Sequence, residues 1–98
     1  MYSMNDLLNL LCSEQAEALR LHVGKPPIIV LRGEPREVGA SAITAADAEE
    51  FLLSIADTRQ RREIRERRRA LFFYMAGESE RYLVRVRMKG EHLEFEIR

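Results

Sequence analysis

Arg81-Tyr82-Leu83-Val84-Arg85-Val86-Arg87-Met88-Lys89-Gly90-Glu91-His92-Leu93-Glu94-Phe95-Glu96-Ile97 decides the fold. Apolar and polar residues alternate on both sides of Lys89-Gly90, the period of a half-buried strand. With Lys89-Gly90 as a two-residue hairpin loop, Met88 faces Glu91, Val86 faces Leu93, Val84 faces Phe95 and Tyr82 faces Ile97. On the opposite face Arg85 meets Glu94 and Arg87 meets His92. A one-residue slip would set every apolar side chain against a charge, so the pattern specifies an antiparallel pair.

Upstream, Leu71-Phe72-Phe73-Tyr74-Met75 and the turn Gly77-Glu78-Ser79 add a strand before this hairpin. Two helices precede it. Ala48, Phe51, Leu52 and Ile55 form an i, i+3, i+4, i+7 stripe in a helix from about Ala45 to Ala56, capped by Thr44. Asp57 and Gln60 make a capping box for a helix from Thr58 to about Arg69. Further upstream the period returns to two. Leu19, Leu21 and Val23 alternate with Ala18, Arg20 and His22; Gly24-Lys25-Pro26-Pro27 breaks the pattern, and Ile28 to Leu31 resumes it. Arg32-Gly33-Glu34 turns into a short strand, Arg36 to Val38, which Pro35 makes start late or lie at an edge. The chain opens on an amphipathic helix, Met4 to about Ala16, with Met4, Leu7, Leu8 and Leu11 on one stripe and Ser3 at the N-cap. Tyr2 and Leu7 are placed for a hydrophobic staple, and Cys12, four residues after Leu8, reads as a small buried hydrophobe. The order is αβββααβββ, an α+β domain with helices packed on an antiparallel sheet.

Ninety-eight residues make one domain, 1–98, without room for a second core. A composition 46% hydrophobic and 33% charged is globular. The longest apolar stretch, Pro26 to Leu31, is far short of a membrane span, and the first six residues lack signal-peptide character. No membrane insertion is expected. A single cysteine forms no internal disulfide, which suits a cytoplasmic setting.

Motifs for chemistry are sparse. Gly24-Lys25 is not a P-loop, because Leu19 stands where the earlier glycine belongs and Pro26 where Ser or Thr must follow. His22 and His92 lie far apart in the chain. His92, Glu94 and Glu96 share a strand face, but opposing arginines take up the carboxylates, so no metal is expected. No serine sits in a nucleophile elbow. The expectation is a protein that is not an enzyme, with no catalytic, cofactor or metal residues.

The conspicuous feature is Arg59-Gln60-Arg61-Arg62-Glu63-Ile64-Arg65-Glu66-Arg67-Arg68-Arg69, with seven arginines and two glutamates. Residues 1–58 carry four basic and nine acidic groups, and residues 70–98 carry five of each. Sixteen basic and sixteen acidic residues thus give zero net charge but a strongly dipolar molecule. Arginine forks onto carboxylates as readily as onto phosphates. Pairs at i, i+4 (Arg59/Glu63, Arg62/Glu66, Glu63/Arg67) suit a solvated helix or a docking face. Nucleic-acid contact through 59–69 is the alternative, ranked lower because Glu63 and Glu66 repel a phosphate backbone and no aromatic group interleaves.

Ala16-Glu17-Ala18-Leu19-Arg20-Leu21-His22-Val23-Gly24-Lys25-Pro26-Pro27-Ile28-Ile29-Val30-Leu31-Arg32-Gly33 resembles the N-terminal domain of the type IV pilus retraction ATPases, PilT-type members of the secretion ATPase superfamily. The shared elements are the alternating strand, the Gly-x-Pro-Pro break, the apolar strand and the closing Gly. Arg59-Gln60-Arg61-Arg62 and Arg81-Tyr82 resemble later segments of the same domain. The sequence departs from the family pattern at Ala18, Arg20 and Leu71. The resemblance implies a PAS-like fold and a non-catalytic module that packs on a neighbouring ATPase domain. Those departures alter the polar contacts that dock the domain on a motor, so the chain reads as a stand-alone or degenerate relative, although a piece cut from a longer motor protein would look the same. The expected role is protein interaction or oligomerisation, with a motor ATPase or a second copy as partner, in twitching motility or type II secretion. Arg61, Arg65 and Arg68 are the candidate carboxylate-pairing contacts, and Pro26-Pro27 the candidate presented turn.

Overall fold

The computed structural model describes residues 2–98. The elements run α1 (Met4–Ser13), β1 (Ala18–His22), β2 (Ile28–Leu31), β3 (Glu34–Glu37), α2 (Ala45–Ile55), α3 (Thr58–Arg67), β4 (Arg69–Ala76), β5 (Glu80–Lys89) and β6 (His92–Ile97). All six strands form one sheet, ordered β3-β2-β1-β6-β5-β4, with every neighbouring pair antiparallel. The architecture is α+β and PAS-like, in the order αβββααβββ.

The three helices lie on one face of the sheet. Leu19, Leu21, Ile29, Val84, Val86, Phe95 and Ile97 supply its core-facing layer, and Met4, Leu7, Leu8, Leu11, Ala48, Phe51, Leu52, Ile55 and Ile64 come down from the helices. At the centre Phe51 meets Phe95 edge-on, with ring centroids 6.0 Å apart, an arrangement that adds to the area buried. These apolar positions are the stripes read from the sequence.

The local stops differ from expectation where backbone conformation intervenes. Helix α1 ends at Ser13 rather than near Ala16, because Gln15 takes a left-handed φ of 53°. The Gln15 N–H then bonds to the Cys12 carbonyl and the Ala16 N–H to that of Leu11, which closes the helix as a Schellman motif. Ser3 occupies the N-cap, but its side chain makes no cap bond. Cys12 is exposed, contrary to the buried hydrophobe expected; it sits past the edge of the stripe, its Sγ 3.9 Å from Glu80 Oε1. Helix α3 stops at Arg67 because Arg68 is left-handed at φ 64°. Both later helices carry complete capping boxes, the expected Asp57–Gln60 and also Thr44–Asp47.

The hairpin has the expected faces and a different register. Lys89 pairs with His92 and Met88 with Leu93, so Gly90-Glu91 forms the loop rather than Lys89-Gly90. Gly90 has φ 65°, and only the first central residue of a type II′ turn needs that conformation. A two-residue shift keeps each side chain on its face. It also exchanges the Arg87/His92 pairing for Arg87/Glu94 and sets Arg85 opposite Glu96. Strand β3 lies at a sheet edge, as Pro35 requires, although it starts earlier than expected, at Glu34.

Candidate functional site

The helices leave the second face of the sheet uncovered, and strand pairing lays two rungs of charge across it. In one rung Arg20 of β1, Glu96 of β6, Arg85 of β5 and Leu71 of β4 stand side by side. In the next, His22, Glu94, Arg87 and Arg69 do the same. Each glutamate therefore stands between two basic residues on adjacent strands, which are about 4.8 Å apart.

Distances bear out the pairing. Glu94 Oε1 lies 3.0 Å from His22 Nδ1, and Glu94 Oε2 lies 3.5 Å from Arg87 Nε. Glu96 is shared by Arg20 (3.5 Å), Arg85 (3.9 Å) and Arg98 (3.4 Å). Glu94 is the buried member, 6% exposed as a residue, while the guanidinium groups around it reach into water. Its Oε2 approaches Arg87 without hydrogen-bonding geometry and has no hydrogen-bond partner among the described residues. Arg20, His22, Arg85, Arg87, Glu94, Phe95 and Glu96 line a shallow cleft of about 270 Å³.

The charges on this face are unbalanced. Four arginines (Arg20, Arg85, Arg87 and Arg98) outweigh two carboxylates. The resulting field attracts acidic groups, while Glu94 Oε2 is closed off from water with its lone pairs unpartnered among the described residues. The cleft lining holds no hydroxyl or thiol nucleophile. Beyond the charges lies an apolar strip on β4: Leu71, Phe73 and Met75 are each more than half exposed. The Arg81 guanidinium sits 4.5 Å from the centroid of the Phe73 ring.

The residues singled out from the sequence lie elsewhere. Arg61 donates to the Ala56 carbonyl at 2.5 Å and to Thr58 Oγ1 at 3.4 Å, bracing the corner between α2 and α3. Arg68 donates to the Gly90 carbonyl at 2.5 Å and ties the end of α3 to the hairpin loop. Arg65 is exposed, without an ion pair among the described residues. None of the expected i, i+4 pairs of α3 forms among the described residues: a solvated pair gains about 0–1 kcal/mol and loses side-chain entropy. Pro26 is half-buried and Pro27 fully buried, and the Pro27 carbonyl accepts the Val38 N–H at 2.8 Å. The Pro-Pro turn thus closes the fold around Val38 instead of presenting both rings. The sequence did signal the Arg85, Arg87, Glu94 and Glu96 ladder through its alternation. It did not signal Arg20 and His22, which join by a strand pairing more than seventy residues distant.

The arrangement of helices and sheet is the PAS-like fold of the N-terminal domain of pilus retraction and secretion ATPases. The chain superimposes over its whole length on the pilus retraction motor PilT with bound ADP, at a TM-score of 0.90 and 15% identity. It also matches the ATPase DotB of Legionella pneumophila, at a TM-score of 0.79 and 15% identity over 97% of the chain. The DotB of Yersinia pseudotuberculosis matches at a TM-score of 0.71 and 14% identity, again over 97%. The chain spans 29%, 27% and 28% of those proteins respectively, under a third of each. No protein-family model matches the sequence. No curated protein matches it either. No helix among the described residues is long and apolar enough to cross a membrane.

Proposed function

We propose that this chain is a non-catalytic protein-interaction module of the cytoplasm, accessory to a type IV pilus or type II secretion motor, docking through the charged rungs of its uncovered sheet face. One observation carries the reading. Glu94 is nearly inaccessible yet lies on the face without helices, with one carboxylate oxygen unpartnered. Such a group costs stability wherever it is not satisfied, and a partner that draws the covering Arg87 guanidinium onto its own carboxylate would open Oε2 to a donor. The likeness of the fold to a part of PilT and DotB supports a motor as that partner.

The test is a calorimetric titration of the chain against the purified pilus retraction or secretion ATPase of its own host. Binding is expected, and Arg85→Glu with Arg87→Glu is expected to abolish it; like charges then oppose Glu94 and Glu96 and lower the unfolding midpoint, so circular dichroism must show the variant folded at the titration temperature. Binding that survives both reversals removes the rungs as the docking face, and no binding by the parent chain removes the motor as partner.

A second reading rests on a different observation. Arg59, Arg62, Arg65 and Arg67 are exposed and unpaired among the described residues, so they remain open to phosphate. Affinity for a labelled oligonucleotide that falls steeply from low to moderate salt supports it. Flat, negligible binding at low salt removes it.

A further inference from the structure

The two edges of the sheet are built oppositely. Edge strand β3, Glu34-Pro35-Arg36-Glu37, is four residues long, with three charges and a proline. Those are the devices that stop an edge from pairing with another chain. Edge strand β4 spans eight residues, and from Ala70 to Ala76 it reads Ala-Leu-Phe-Phe-Tyr-Met-Ala, without a charge, a proline or a glycine.

Its free hydrogen-bonding groups can be assigned. The Met88 N–H donates to the Arg68 carbonyl, which fixes 68/88 as a bonded pair, and the ladder alternates from there through 70/86, 72/84 and 74/82. Arg69, Leu71, Phe73 and Met75 therefore turn their N–H and C=O groups away from β5, toward the open edge. The side chains of Leu71, Phe73 and Met75 stand on the uncovered face, 59%, 58% and 53% exposed.

We infer that β4 is a homodimerisation edge, pairing antiparallel with β4 of a second copy about a two-fold axis at Phe73. The neutral stretch is symmetric about that residue. Ala70 then meets Ala76 of the second copy, Leu71 meets Met75, Phe72 meets Tyr74, and Phe73 meets itself. The outward-turned residues 71, 73 and 75 fall opposite one another, so each copy's free N–H groups find the other's free carbonyls. The two apolar strips merge into one.

Charge selects the same register. Arg69 stands opposite Arg87 across β4 and β5, a like-charge pairing, and has no ion pair among the described residues. Pairing about Phe73 brings the Gly77-Glu78-Ser79 turn of the second copy beside the Arg67–Arg69 end of β4, so Glu78 comes to the arginines at both ends of the interface. The occupant this edge fits is therefore another copy of this chain. The inference goes beyond the rungs as a docking face, and neither reading depends on the other.

Sedimentation equilibrium of the full chain across a wide concentration range tests it. The expected result is a reversible monomer–dimer equilibrium, abolished by Phe73→Lys. The Phe73 N–H serves no bond to β5, so Phe73→Pro provides a second edge-blocking variant that keeps the intramolecular ladder. Circular dichroism and a urea midpoint close to the parent's establish that a variant is folded. Arg69→Glu alone and Glu78→Arg alone each weaken the dimer about tenfold, because two symmetric pairs break at once, and the double exchange restores it. A parent chain that stays monomeric at every concentration overturns the proposal, as does a dimer indifferent to both Phe73 variants. A double exchange that fails to restore association overturns the register about Phe73. Association that follows the Arg85 and Arg87 reversals but not the Phe73 variants also overturns it, by placing the contact on the rungs.

Discussion

Replacing Glu94 by leucine separates what a charge does for folding from what it does for recognition. The Glu94 side chain is 7% exposed, whereas its partners His22 and Arg87 are 32% and 63% exposed. His22 Nδ1 lies within hydrogen-bonding distance of Glu94 Oε1, at 3.0 Å, and with a proton on Nδ1 the contact is worth about 1.5–3 kcal/mol. The Arg87 pair, screened by water on the guanidinium side and lacking hydrogen-bond geometry, adds about 0–1 kcal/mol. Against these stands the desolvation of a nearly inaccessible carboxylate, several kcal/mol after relaxation.

Glu94→Leu removes all three terms. It leaves no buried charge behind, because both former partners reach solvent. The net change is expected within about 1 kcal/mol of zero or on the stabilising side. Glu94→Gln should be worse: it keeps a buried polar group, loses the charge, and points amide hydrogens at donors, costing about 1–3 kcal/mol. Equilibrium urea unfolding at neutral pH, with m unchanged, reads both values. A leucine variant less stable than the glutamine variant, or weaker than the parent by more than about 3 kcal/mol, would show that Glu94 holds the sheet together. The reasoning that assigns it to recognition would then fail.

Asp57→Ala removes the oxygen that accepts the Gln60 N–H at 2.7 Å and should cost about 1 kcal/mol, read as a lower urea midpoint with less helical signal. Burial, then Glu80 and then Cys12, raise the Tyr82 phenol above its ordinary value of 10.0. The folded chain thus holds that proton more tightly than the unfolded one. The stability this contributes is complete below the unfolded value and is lost as pH rises through the folded value. Tyr82→Phe should flatten the decline of urea stability above about pH 10, and an unaltered alkaline profile would refute the assignment.

What the sequence disclosed and what it concealed divide along a physical line. Faces were legible wherever a period of two or 3.6 ran for several residues, as in Tyr82–Met88 or in Ala48, Phe51, Leu52 and Ile55. Caps were legible where the residue types are specific, as at Asp57 and Gln60. The hairpin register was not, because parity is blind to a two-residue shift; the conformation of Gly90 and two Arg–Glu pairings decided it. Cys12 lay at the margin of a stripe and is exposed, its Sγ facing Glu80 at the start of β5, 68 residues onward in the chain. The rungs were half legible. Arg85, Arg87, Glu94 and Glu96 belong to one hairpin, but Arg20 and His22 reach them only because β1 pairs with β6.

The arginine helix shows why charge density is a poor guide to a built site. Of the seven arginines in 59–69, Arg61 and Arg68 are spent on the carbonyls of Ala56 and Gly90, and five more project into water or lie on the sheet edge. On the helix, each prospective pair must immobilise two long side chains for a screened attraction, and none forms among the described residues. On the sheet, the backbone already holds opposite charges on adjacent strands, so less ordering is needed for each contact, and every ion pair among the described residues occurs there. Under the proposed docking role, recognition by opposed charge would therefore fall to the strands, where geometry is fixed before a partner arrives. Such a surface loses less freedom on binding than the arginine helix would.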